Sequence, residues 1–384
     1  MTSRAYDVIV IGAGVNALTA AAYLARAGRK VLVCERRDTV GGSASTVEIE
    51  PGFHVDAVQH DHGWVPNGVF RDLELDKRGL RMLARGARMV AKGEDGATLA
   101  FDTGGPDLDA LRKLSPKDAS RWPEFAARVE AVSGFLEHMY ASAVPDTSLG
   151  EPGDMRTALR LAMRYRGLGR RDMVEVLRVL PMSIAEWLDD WFEHPLLKGA
   201  LASRGITHSV YGPRAAGTAY VFLHHHVGRR AGSLGTPRAT LGGTGALARA
   251  LEDVAKAAGA EVRFGAGVKR IVVERGTVTG VELASGEVIG AARVVSGASP
   301  RHTFLELCDP SRLEEEFVHA VSRIRYRGAF AKVNCSLDAL PALGEGVHGA
   351  IVAPTMDYLE RASDDRKYGR VSERPFIHAV FASA

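Results

Sequence analysis

The sequence predicts an α/β fold: a parallel sheet with flanking helices, assembled from two separated stretches of chain, joined to a second domain of mixed α+β character. Three observations carry this. A short apolar run at 6–11 passes at once into a glycine-rich turn and an alanine-rich helix. A second short strand follows and ends on an acid. A further glycine turn, helix and strand series begins near residue 241, far from the first.

Each element has a physical reason. YDVIVI (6–11) is β-branched and bounded by glycine, as a buried parallel strand should be. GAGVNA (12–17) supplies the turn: Gly12 allows the sharp bend, Gly14 lets backbone approach a diphosphate, and Ala17 is small enough for close helix-to-strand packing. The helix predicted over 16–27 then points its free amides and positive dipole end at that diphosphate, with Val15 and Asn16 in its opening turn. KVLVCE (30–35) is the second strand. Its terminal Glu35, 23 residues after Gly12, is placed to accept ribose hydroxyls and to repel a 2′-phosphate. Strand, turn, helix, strand and acid in register describe a Rossmann-like dinucleotide site.

Composition narrows the class. At 384 residues and 46% hydrophobic side chains the chain is long enough for two interleaved domains. Lys plus Arg (49) nearly balance Asp plus Glu (46), so the net charge of +3 gives no reason to expect nucleic acid. The three cysteines, Cys34, Cys308 and Cys335, form no CxxC pair, which points to a reducing, cytoplasmic setting without a dithiol centre. The stretch from Arg4 to Gly28 imitates a signal peptide, but Gly12, Gly14 and Asn16 interrupt it. No uninterrupted apolar run is long enough to span a bilayer, so a soluble or peripheral protein is expected.

After Glu35 the chain reads RRDTVGGSAST, an extension that an NAD-dependent dehydrogenase does not need. Glu35 with Arg36, Arg37, Gly41 and Gly42 resembles the glutathione-reductase-type FAD fold used by amine oxidases and phytoene desaturases. That resemblance implies Arg37 near the adenosine and the amides of Gly41, Gly42, Ser43 and Ala44 at the flavin diphosphate. Many relatives carry Arg at the position of Ser43, so amides and the helix dipole would carry more of the anion binding here. LGGTGALARALEDVAKAAGAEVRFGAGVKRIVV (241–273) resembles the same families' returning segment, in which the backbone at Val268 touches adenine. AARVVSGASP (291–300) resembles their returning strand, and GTVTGVELASGEVIG (276–290) alternates as a β-meander.

The resemblance extends to phytoene-dehydrogenase-like oxidoreductases through PGFHVDA (51–57), SIAEWLDDWFEHPLLKGAL (183–201) and GTAYVFLHHHVG (217–228). It implies an FAD-binding domain from 1–68 and 236–300, and a substrate or cap domain from 69–235 and 301–384. The cap is expected to be mainly helical to 235, with a strand in RGAFAKVNCSLDAL (327–340). The activity implied is a desaturase, dehydrogenase or oxidase moving hydride from a hydrophobic or cyclic substrate carbon to flavin N5, without a side-chain nucleophile. Relatives continue past the final HAVFASA into a glycine-rich segment over the flavin. A second polypeptide supplying that segment, a chain that binds FAD without turnover and a non-catalytic scaffold are therefore alternatives, and a redox-neutral isomerase, as in carotenoid-isomerase-like relatives, is a further one.

Other residues carry weaker signals. Asp56 and His60, near His54, Asp61 and His62, are candidates for substrate-side roles or for a structural pair. His224, His225 and His226 diverge by about 100° each on a helix, which favours packing over a metal site. Trp187 and Trp191 should anchor a helical core. Arg156, Arg160 and Arg164 beside Met155, Leu159 and Met163 form a basic amphipathic helix. The expectation is a solvated charged face over a buried stripe, with docking on anionic lipid as the alternative.

Overall fold

The computed structural model describes residues 4–58, 63–81, 88–146, 148, 150–228, 231, 234, 240–344 and 346–381. The chain divides into two units, Met1–Leu83 with Arg238–Tyr326, and Ala84–Pro237 with Arg327–Ala384. This places the segments 69–81 and 301–326 with the first unit, where the sequence assigns them to the cap. The reason is burial: Leu73, Leu75 and Leu80 join the core around the first helix, and Leu307 joins the core on the opposite face of the sheet.

In the first unit, β1 (Arg4–Ile11), α1 (Val15–Arg26) and β2 (Val31–Cys34) follow one another with tight turns. β1 lies between β2 and the distant strand Val288–Ser296, parallel to both. Glu261–Arg263 extends the parallel side beyond β2. Val268–Glu274 and Thr277–Leu283 run antiparallel beyond Val288–Ser296, completing six strands as the expected meander. Val8 and Val10 face one layer while Ile9 and Ile11 face the other, the alternation of a strand buried on both sides. On one layer α1 packs its alanine face, Ala17, Ala21, Ala22 and Ala25, beside the helix Gly245–Ala257. The apolar start of the stretch Arg4–Gly28 is thus a central strand of the sheet, and the remainder is α1 packed on it.

The second unit holds the expected helices and also strands that periodicity did not reveal. Arg88–Lys92, Thr98–Asp102 and Gly105–Pro106 join Val347–Val352 and Ile377–Val380 in a five-stranded mixed sheet. The helical core is aromatic. Phe125 lies 5.2 Å from Trp187, 5.6 Å from Trp191 and 4.9 Å from Phe192, and Trp187 donates its indole N–H to Glu175 at 3.2 Å.

Two expectations are corrected. The stretch 327–340 contains no strand and is exposed throughout, because none of the described strands pairs with it. The helix Pro152–Gly167 buries none of its residues fully, and Met155, Leu159 and Met163 are more than half exposed at 58%, 59% and 59%. The packed face of this helix runs instead through Tyr165, which contacts Phe135 at 5.5 Å and donates its hydroxyl to Met173 O at 2.7 Å. No described helix is long and apolar enough to cross a membrane.

Candidate functional site

The glycine turn between β1 and α1 is held from both sides. Gly12 adopts φ +87° and donates its N–H to Cys34 O at 2.8 Å, which ties the turn to the end of β2. Ala13 O accepts the N–H of Gly41 at 2.8 Å, and Gly14 pairs with Gly41 as an isolated parallel bridge. A loop from the end of β2 is thereby laid against the turn. Gly41, at φ +112°, admits no side chain, since a Cβ would stand 2.7 Å from Ala44 O. Gly42 approaches Gly14 so closely that a Cβ would meet Gly14 Cα at 3.4 Å.

By contrast, a Cβ on Gly12 or Gly14 would meet nothing within 4 Å. These two glycines therefore face open space. Gly14 caps α1 without a side-chain hydrogen bond, and the first bond into the helix runs from Leu18 N–H to Gly14 O at 2.9 Å. Helix geometry leaves the amides of Val15, Asn16 and Ala17 without a carbonyl inside the helix. Donors and dipole thus converge on the side where no described residue comes within 4 Å of a Cβ at Gly12 or Gly14.

Glu35 is 7% exposed and turned onto this turn. Its Oε2 accepts Ala13 N–H at 2.7 Å and its Oε1 accepts Arg37 N–H at 2.9 Å. A carboxylate has about four acceptor positions, so each oxygen keeps capacity for a hydroxyl. Arg36 and Arg37 project outward, and Arg37 donates weakly to Gly42 O at 3.4 Å. Gly42–Ala44 forms a 3-10 turn with Ser43 exposed and Ala44 buried. The backbone leading to Val268 lies alongside, with Ala266 N–H on Glu35 O at 2.8 Å and Gly265 N–H on Arg37 O at 3.1 Å. The structure thus brings Gly12, Gly14, Glu35, Gly41 and the approach to Val268 around one crevice.

Ala17 has the packing task expected of it, through a partner the sequence reading did not single out. Gly297 donates to Ile11 O at 2.8 Å, and a Cβ there would stand 2.6 Å from Ala17 Cβ. Helix and sheet therefore touch through two minimal residues from opposite ends of the unit. The small residue at the end of a returning strand, in AARVVSGASP, is the only signal that could have pointed to it.

Asp56 does structural work. Its Oδ1 accepts the hydroxyl of Thr46 at 2.9 Å and both the amide and hydroxyl of Thr244, at 2.7 and 2.9 Å. This ties the hairpin of β3 (Thr46–Glu50) and β4 (Phe53–Asp56) to the start of the helix Gly245–Ala257, and no local pattern announces the partner. His60, the other catalytic candidate, lies outside the described residues, as do Asp61 and His62. The three successive histidines diverge: His224 Nδ1 meets the Tyr140 hydroxyl at 3.0 Å, His225 Nε2 meets Thr207 O at 3.3 Å, and His226 Nδ1 meets Phe222 O at 2.7 Å. Cys34, Cys308 and Cys335 are all unpaired thiols, and burial pushes Cys34 up to about 12.

Comparison with known proteins bears on this crevice. The family model described as flavin containing amine oxidoreductase matches residues 18–341. The chain is 31% identical, over 99% of its length and 70% of the relative's, to pyridine nucleotide-disulfide oxidoreductase domain-containing protein 2 of Rattus norvegicus. It is 32% identical to a limonene dehydrogenase polypeptide of Castellaniella defragrans, over 78% of this chain and 52% of that one. Phytoene desaturase (neurosporene-forming) of Cereibacter sphaeroides is 28% identical over 79% of this chain and 55% of its own. Among solved structures, putrescine oxidase bound to putrescine aligns with a TM-score of 0.53 at 18% identity, over 83% of this chain and 63% of that one, a likeness of fold.

Proposed function

Because the chain belongs to the flavin containing amine oxidoreductase family, whose cofactor is FAD, we propose that it is an FAD-dependent oxidoreductase acting on a hydrophobic or cyclic substrate. The observation that carries this reading is the open space before Gly12 and Gly14 at an uncapped helix end, beside an inward-turned Glu35. We assign the six-stranded unit to the glutathione-reductase-type arrangement and its crevice to the adenosine diphosphate half of the cofactor.

The donor set fits that group. Gly12 and Gly14 offer bare backbone, the amides of Val15, Asn16 and Ala17 donate to phosphate oxygens, and the α1 dipole favours the negative charge. Glu35 holds ribose hydroxyls with the acceptor positions that Ala13 and Arg37 leave open. The amides of Gly42 and Ser43 would serve the same diphosphate, whereas those of Gly41 and Ala44, expected there too, are engaged with Ala13 O and Gly41 O at 2.8 and 2.9 Å; the Val268 backbone is assigned to the adenine side. FAD, when bound, would supply a two-electron acceptor for hydride from a substrate carbon. The chain's own contribution is binding, orientation and exclusion of water, so no side-chain nucleophile is assigned. Support for an apolar substrate is that relatives are named for limonene and phytoene.

Purified protein should be yellow and should release flavin on denaturation. A colourless preparation that takes up no added FAD would overturn the reading. Anaerobic mixing with substrate should leave stoichiometric reduced flavin; turnover without reduction would instead indicate an isomerase.

A further inference from the structure

The helical hairpin formed by Pro152–Gly167 and Gly169–Val179 carries a surface that cofactor binding does not use. On a helix each residue advances about 100°, so Met155, Leu159 and Met163 fall within about 80° of one another. Arg156, Arg160 and Arg164 form a parallel stripe about 100° further round. Both stripes lie away from Tyr165, which faces the packed side. On the second helix Val174 and Leu177 are exposed at 58% and 69%, beside Arg170. Val174 and Arg170 line a pocket with Arg121, Glu124 and Asp190, so the exposed apolar side chains set beside the arginine stripe are Met155, Leu159 and Met163, with Leu177 exposed on the next helix.

The charge is concentrated there. Residues 152–179 contain seven arginines against three acids, a net +4, whereas the whole chain carries +3. The rest of the molecule is therefore slightly negative. Nearby acids are already engaged: Asp172 pairs with Arg128 at 3.1 Å, and Glu175 pairs with Arg178 at 3.0 Å. Among the described residues no carboxylate pairs with Arg160, Arg164 or Arg166, and all three are exposed.

We propose that this hairpin docks the protein on an anionic lipid bilayer, with Met155, Leu159, Met163 and Leu177 entering the interface and the arginines meeting lipid phosphates. Apolar and cationic stripes side by side on a helix lying in the membrane plane are the arrangement that such a surface binds. A second copy of the chain is a poorer occupant, because a two-fold contact would set these arginines against themselves. The inference is independent of the cofactor reading.

The test uses the full chain in sedimentation with vesicles of phosphatidylcholine alone and of phosphatidylcholine with about one third phosphatidylglycerol. Binding should require the anionic lipid and weaken with salt. The double variant Arg160→Gln with Arg164→Gln should bind about 30-fold more weakly, taking each cation's share at an anionic surface. Leu159→Ser with Met163→Ser should also lose binding. All four positions are exposed, and an unchanged circular dichroism spectrum and flavin content would exclude misfolding. Equal binding to both vesicles, binding unaffected by either variant, or self-association lost in the same variants would each overturn the proposal.

Discussion

Replacing Gly14 with alanine separates holding the fold from holding the cofactor. Gly14 has φ −71° and ψ 165°, which alanine adopts without strain, and its Cβ would meet no protein atom within 4 Å. Alanine is a poorer helix cap than glycine, but it also restricts the unfolded chain, and these opposing effects leave apo stability changed by about 1 kcal/mol or less. The methyl group would nevertheless stand where the diphosphate must approach the α1 amides. Displacing one charge-assisted hydrogen bond of about 1.5–3 kcal/mol weakens FAD binding by about 10- to 150-fold. Denaturant unfolding of the apoprotein and titration of FAD by flavin fluorescence measure the two effects separately. A Gly14→Ala protein that folds normally and binds FAD like the parent would refute the placement of the diphosphate at this helix end.

Gly41→Ala should behave oppositely, because φ +112° and a contact of 2.7 Å to Ala44 O strain the protein itself. Apoprotein stability should fall by about 2–4 kcal/mol in urea unfolding. Gly297→Ala should cost about 1–3 kcal/mol by pushing α1 from the sheet through its 2.6 Å contact with Ala17, again visible without cofactor. Glu35→Gln keeps the shape but presents an NH₂ to either Ala13 or Arg37 N–H, so FAD affinity should fall by about tenfold or more, with isothermal titration as the check. Cys34 is buried and its thiol is pushed up to about 12, so it stays protonated at neutral and mildly alkaline pH. A thiol-alkylating reagent at pH 8 should label exposed Cys335 first and Cys34 only after denaturation, as read by peptide mass spectrometry.

What sequence made legible is what neighbouring residues decide. The turn from β1 into α1 and the Glu35 that follows depend on bends, dipoles and small side chains within thirty residues or so, and they stand together around one crevice. Gly297, the partner of Ala17, and Thr244, the partner of Asp56, were hidden because the contact lies far along the chain. Arg88–Lys92 pairs nearby with Thr98–Asp102, but its other neighbour, Val347–Val352, arrives more than two hundred residues later, so the sheet they build was not legible locally. The reverse error occurred at 327–340, where alternation was present without a neighbour. For Pro152–Gly167, periodicity showed which side chains share a face, but not that the apolar stripe faces outward.

The placement of β1 between β2 and Val288–Ser296 has a consequence for how the molecule is made. The register that sets Tyr6 beside Ala291 spans most of the chain, so on the ribosome the N-terminal strand waits with one edge open until nearly three hundred residues have been synthesised. During that interval most of the second unit emerges and can begin to fold. Truncations ending before residue 288 should therefore leave β1 without one neighbour and accumulate as aggregate rather than as a smaller nucleotide-binding fragment.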